Sequence, residues 1–224
     1  MKRSFKRIIE NLEDQYGTPR APLSDPLQII LWENLGYLIP DEKRSAAFQR
    51  LRKEVGLQPG AILSAPGDKL LEIAKLGGAQ PQTRAQRLRE IALIVMNDFE
   101  GSLDPVMELP LPKAIKALKK FPAIGEPGAE KILLFSKAYP VLALDSNGLR
   151  VLLRLGFGEE KKDYTASYRS VREAINKQAG NDFDFLIRAH QLLRLHGKTL
   201  CKTSKPFCFE CPVAKYCAYF AEHY

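Results

Sequence analysis

Apolar residues recur along this chain at the three- and four-residue spacing of amphipathic helices, and stretches that alternate with period two are scarce. The pattern predicts helices over residues 26–39, 41–55, 67–76, 82–99 and 111–120, then 126–138, 145–155, 163–178 and 181–196. The punctuation agrees. Asp25 before Pro26 is an N-cap followed by proline at the first helical position, and the breaks at Leu57 to Gly60 and Leu109 to Pro112 carry proline or glycine. No internal repeat, low-complexity tract or long linker interrupts the series. An all-α fold is therefore expected, in which any second domain is joined by packing rather than by a tether.

Composition narrows the classes. Of 224 residues, 45% are hydrophobic, enough for a substantial core, while no apolar run approaches the roughly 20 residues needed to cross a bilayer. The basic start, MKRSFKRIIENLEDQ, lacks the apolar centre of a signal peptide, so a soluble, cytoplasmic monomer without membrane contact is expected. A net charge of +8 favours polyanionic partners, but it becomes informative only where it gathers around a docking element.

The four cysteines, Cys201, Cys208, Cys211 and Cys217, are the only ones in the chain and follow the pattern C-x6-C-x2-C-x5-C. Four thiolates so close in sequence point to a metal centre. Structural zinc sites usually pair two short knuckles, whereas here only Cys208 and Cys211 form one, and a wider loop on each side suits a 4Fe-4S cube better. Zinc, and redox or disulfide chemistry, remain as alternatives on spacing alone.

A second stretch, FPAIGEPGA from Phe121 to Ala129, lies between the basic helix LPKAIKALKK and the apolar helix AEKILLFSKAY. Helix, tight turn with Gly125 and Gly128, then helix is a helix-hairpin-helix arrangement, and its chemistry is anion binding. Bare backbone approaches a phosphate, and turn amides around Ile124 and Gly125 join the N-terminus of the next helix in donating to it. Lys113, Lys116, Lys119 and Lys120 add attraction that does not depend on base sequence. A plain αα-turn with a solvated lysine face is the alternative. Further on, ALDSNGLRV places Asp145 at the start of a helix, where it reads first as an N-cap.

Asp145 stands 20 residues after Gly125, and the chain then runs through LHGKTLC into the four cysteines. In this order and spacing the sequence resembles the HhH-GPD superfamily of DNA base-excision glycosylases, in the iron-sulfur branch that includes endonuclease III, the MutY adenine glycosylase and the thymine mismatch glycosylases. The resemblance spans roughly residues 25–217. It implies two helical domains with the substrate cleft between them: a six-helix barrel over 23–139 carrying the hairpin, and a cluster domain from 1–22 with 140–224. It also implies double-stranded DNA as partner, with the damaged or mismatched nucleotide flipped out of the stack, and a 4Fe-4S cluster on Cys201, Cys208, Cys211 and Cys217.

The resemblance further assigns roles. Cleaving a base-to-sugar bond develops positive charge on the sugar, which a carboxylate stabilises, and Asp145 takes that position. DPLQIILWE aligns with the DPxxxxxxE opening of the adenine and thymine mismatch enzymes, making Glu33 the proton donor to the leaving base, with apolar neighbours expected to favour its protonated form. Pro127 occupies the place of the hairpin lysine that forms a Schiff base in bifunctional members, and Asp145-Ser146-Asn147 resembles the D-x-N of the other types. A monofunctional enzyme is expected, acting on uracil, thymine or adenine. A lyase using Lys131 or Lys137, or a non-catalytic binder of abasic or structured DNA, are the alternatives.

Two departures leave the substrate open. Tyr37 and Leu38 replace polar residues that probe the opposite strand, so Leu38 is a candidate wedge and Tyr37 a candidate stacking residue, with ordinary core as the alternative for both. The chain also ends soon after Cys217, without the domain that reads 8-oxoguanine in MutY-type enzymes. The cluster itself is expected to fix the loop KTSKPF so that Lys202 and Lys205 meet DNA phosphates.

Overall fold

The computed structural model of the chain describes residues 4–20, 22–36 and 39–224. Thirteen α-helices and no strand occur among them: α1 (Phe5–Tyr16), α2 (Pro26–Asn34), α3 (Asp41–Glu54), α4 (Pro59–Ser64), α5 (Gly67–Lys75), α6 (Pro81–Asp98), α7 (Asp104–Met107), α8 (Leu111–Leu118), α9 (Glu126–Phe135), α10 (Ser146–Leu155), α11 (Tyr164–Ala179), α12 (Phe183–Thr199) and α13 (Ala218–His223). The chain divides into two compact units, Leu23–Tyr139, and Met1–Pro22 with Pro140–Tyr224. No described helix is long and apolar enough to cross a membrane.

In the unit Leu23–Tyr139, α2 starts where the Asp25 carboxylate accepts from Gln28 N at 2.8 Å, one residue before Pro26. Ile29, Ile30, Leu31 and Leu35 are all buried, so this helix is apolar on most of its circumference and lies within the core. It packs on α6, whose Leu88, Ile91 and Val95 line one buried stripe, each contributing about 1.5–3 kcal/mol by leaving water. The expected helix over 26–39 stops at Asn34. There Asn34 turns its amide to the carbonyls of Ile30 and Pro122, both at 3.0 Å, which fastens the end of α2 to the α8–α9 turn. The turn between α5 and α6 closes over the same end: a Cβ at Gly77 would stand 1.9 Å from the Leu35 carbonyl oxygen, so only glycine fits.

Four helices escaped the periodicity. Two of them are α1 and α4, the latter lying where Pro59-Gly60 had marked a break, because proline at the first helical position begins a helix as readily as it ends one. The others, α7 and α13, span four and six residues, too few to show a period.

The unit Met1–Pro22 with Pro140–Tyr224 is built on α1, α10, α11 and α12. Phe5, Ile8, Ile9 and Leu12 form the buried stripe of α1, and Phe5 meets Phe157 and Phe185 edge-on at 6.2 and 5.9 Å. α10 and α12 touch at the backbone. A Cβ at Gly197 would stand 2.7 Å from Asn147 Cβ and 2.9 Å from its carbonyl oxygen. Gly197→Ala is therefore expected to force the two helices apart at a cost of about 1–3 kcal/mol, read as a lower melting temperature, with Asn147 displaced.

Candidate active site and cysteine pocket

Asp145 is the N-cap of α10, its Oδ1 accepting from Gly148 N at 2.8 Å. The second oxygen is held as well: Asn147 Nδ2 donates to Oδ2 at 3.1 Å, and Arg194 Nε lies 3.4 Å from it. Three donors thus fix one partly exposed carboxylate in one orientation, with both oxygens at defined places. Tyr164 senses that charge. Its phenol is pushed above the ordinary value first by burial and then by the field of Asp145.

The helix that Asp145 caps also grips the cysteine loop. Arg150 donates from Nη2 to Asn147 Oδ1 at 3.0 Å and Gly197 O at 2.8 Å, and from Nε to Cys201 O at 3.0 Å. One turn later Arg154 donates to the carbonyls of Lys202 and Thr203 at 2.7 and 2.9 Å, and lies 3.4 Å from Cys201 Sγ. A planar guanidinium holds several carbonyls in a fixed fork, a geometry that an ammonium lacks. Neither arginine was identified from sequence. Their i,i+4 spacing was visible, but their targets are main-chain atoms, which have no sequence signature.

Cys201, Cys208, Cys211 and Cys217 line a single pocket with Val151, Leu155, Leu200 and Val213, and none of the four is in a disulfide. Among the described residues no three His, Cys, Asp or Glu side chains converge as ligands of one metal ion. Four thiols around one pocket supply the soft donors that zinc or an iron-sulfur cluster takes. Burial pushes the Cys211 thiol up to about 11 and raises Cys217, so a metal centre must displace those protons as it binds. Lys202 and Lys205 are exposed on the loop between the first two cysteines, with Lys202 Nζ 4.8 Å from the Phe207 ring centroid and Lys205 at φ 54°.

In the other unit, α8 and α9 enclose the hairpin turn. The left-handed residue is Ala123, at φ 60°, while Gly125 has an ordinary φ of −90°. What glycine supplies at 125 is open space: a Cβ there would meet only Pro127 Cδ, at 3.9 Å, leaving the backbone approachable. Ile124 does not fit a contact role. It is 5% exposed, packs beneath Gly128, and spends its N–H on Phe121 O at 3.2 Å, so the amides left for an anion belong to the first turn of α9. Glu126 sits in that turn and opposes an anion. Lys113, Lys116 and Lys119 are exposed, and Lys120 pairs with Asp98 at 2.8 Å.

Glu33 departs from the expectation of apolar surroundings. Lys131 Nζ lies 2.7 Å from its Oε1, and Arg44 Nη1 lies 3.6 Å from the same atom. The first contact engages Lys131, one of the two amines considered for lyase chemistry. Tyr37 and Leu38, the candidate stacking and wedge residues, lie outside the described residues.

No family model matches the chain. The endonuclease III of Sulfolobus acidocaldarius is 27% identical over 209 residues, covering 92% of this chain and 86% of that protein. A thymine-DNA glycosylase from Aeropyrum pernix is 29% identical over 166 residues, covering 72% of this chain and 69% of that protein. Among solved structures, a non-covalent endonuclease III–DNA complex superposes with a TM-score of 0.74 over 98% of each chain at 18% identity, a likeness of fold.

Proposed function

We infer, from the premise that this chain is a member of the HhH-GPD superfamily and a DNA glycosylase of the endonuclease III and thymine-DNA glycosylase kind, that it hydrolyses the N-glycosidic bond of one flipped-out base in double-stranded DNA and leaves an intact abasic site. The observation that carries this is the carboxylate of Asp145, held by Gly148 N, Asn147 Nδ2 and Arg194 Nε. Donors fixed in advance keep it oriented, so it meets the developing sugar cation without reorganising. It either stabilises that cation or activates the water that traps it.

Glu33 serves the leaving base. Its carboxyl group, held in place by Lys131 and Arg44, would take a proton from solvent and pass it to the departing heterocycle. The base is of the uracil, thymine or adenine class. Glu33→Gln is expected to slow excision of adenine and thymine much more than of uracil, which departs readily as an anion; equal slowing in single-turnover assays would assign Glu33 to structure instead.

Cys201, Cys208, Cys211 and Cys217 would hold a 4Fe-4S cluster, whose contribution when bound is to brace the loop carrying Lys202 and Lys205. Those lysines, the amides of the first turn of α9 and the exposed lysines of α8 bind phosphates. Placing a bulky side chain at Gly125 closes its open backbone, so binding is expected to weaken alike for all duplexes; a loss confined to one base context would contradict phosphate contact.

Pro127 provides no amine, and Lys131 is committed to Glu33. Borohydride is therefore expected to trap no covalent complex, and strands to break only after alkali. A robust trapped complex would favour the lyase reading, with Lys131 or Lys137 as nucleophile.

A further inference from the structure

His196 has no part in the chemistry described so far, yet it is 1% exposed and lies between a tyrosine and a cysteine. Its Nδ1 is 2.9 Å from Tyr16 Oη, and its Nε2 is 3.5 Å from Cys211 Sγ. Tyr16 Oη also lies 3.0 Å from Thr199 Oγ1, whose hydroxyl is 2.9 Å from Leu195 O.

The position of the ring proton follows from its neighbours. Either hydroxyl can donate across the 3.0 Å contact between Tyr16 and Thr199, so with Thr199 donating, the one Tyr16 proton is free for Nδ1. Were Cys211 a neutral thiol, the imidazole could donate from Nδ1 to Tyr16 and accept from sulfur at Nε2. A ligating thiolate offers no proton, which places the imidazole proton on Nε2, aimed at sulfur, and leaves Nδ1 to accept from Tyr16 Oη. Ligation thereby selects one tautomer, and the tyrosine on α1 locks it.

We propose that His196, oriented by Tyr16, donates a hydrogen bond to the Cys211 ligand and thereby sets how readily the cluster is reduced and how slowly it is lost; this rests on the four cysteines holding a 4Fe-4S cluster. A donor at a ligand sulfur draws electron density from it, which favours the more negative, reduced core and raises the reduction potential. The residue is a positioning and tuning group and touches no DNA.

The test uses anaerobically purified protein and reads iron content, reduction potential by film voltammetry, and the rate at which a strong iron chelator bleaches the visible absorbance. Relative to the native protein, His196→Leu is expected to shift the potential downward and bleach several-fold faster. Tyr16→Phe is expected to move both in the same direction but less, and His196→Gln, whose Nε2 can reach the same sulfur, to stay near the native values. Should the leucine variant not fold, His196→Asn, polar but too short for Cys211, replaces it with the same expectation. Native protein loaded with iron, and variants with unchanged potential and bleaching, would overturn the proposal alone. Native protein carrying stoichiometric zinc and no iron would overturn the cluster reading and the proposal with it.

Discussion

Replacing Asp145 with Asn is expected to cut single-turnover base excision by about 10²–10³-fold, or roughly 2.7–4 kcal/mol of transition-state stabilisation. The reason is narrow. Asn caps α10 as well as Asp does, so Gly148 N keeps an acceptor and the helix keeps its start. What disappears is the charge, and with it the partner that a sugar cation requires; the oxygen that accepts from Asn147 Nδ2 and faces Arg194 Nε also gives way to an amide nitrogen that cannot accept. Melting temperature and affinity for a duplex containing an abasic site should therefore stay close to native while turnover collapses, a loss in the chemical step rather than in binding. Excision by the variant at the native rate would remove Asp145 from the mechanism.

Cys208→Ser is the second change with a large expected effect, and it acts through structure. With the proposed cluster in place, loss of one ligand should abolish the visible absorbance and most of the iron. The loop from Cys201 to Cys208 is held at its first half by Arg150 and Arg154, and the proposed cluster would hold the rest. A loss of about 3 kcal/mol would lower the melting temperature by about 6–12 °C. With Lys202 and Lys205 no longer fixed, the slope of log affinity against log salt should fall by about 2, at all duplex sequences alike. Full retention of that slope would show that these lysines do not meet phosphates.

How much of this was legible in the sequence depends on the range of the interaction. Periodicity located the long helices because burial of one face repeats every turn, as in the stripe of Leu88, Ile91 and Val95 on α6. Ends were less legible. α2 stops at Asn34 because that side chain reaches Pro122 O, a contact between distant parts of the chain. The same limit hid the surroundings of Glu33: its sequence neighbours are apolar, whereas Lys131 and Arg44 arrive from α9 and α3. Ile124 looked like part of a phosphate cradle from its place in the turn, and its burial beneath Gly128 became visible only in three dimensions.

The cysteine pocket was legible from spacing, and its setting was not. Nothing in LRVLLRL announces that Arg150 and Arg154 will gather the carbonyls of Cys201, Lys202 and Thr203, or that Asn147 will join Asp145 to that arrangement. Likewise, His196 reads as an ordinary core histidine until Tyr16 and Cys211 are placed on its two nitrogens. Short motifs reported chemistry that acts along the chain. Hydrogen bonds to main-chain atoms and ion pairs between remote helices required the fold.

The most direct measurement is excision from a panel of end-labelled duplexes, each carrying one uracil, thymine or adenine mismatch or one damaged base, sampled with and without alkali and with borohydride present. The account predicts release of the base from at least one duplex, strand breaks that appear only after alkali, no borohydride-trapped complex, and no release by the Asp145→Asn protein beyond about one per cent of the native rate. Tight binding across the panel without release of any base, or breakage without alkali accompanied by a trapped complex, would contradict it.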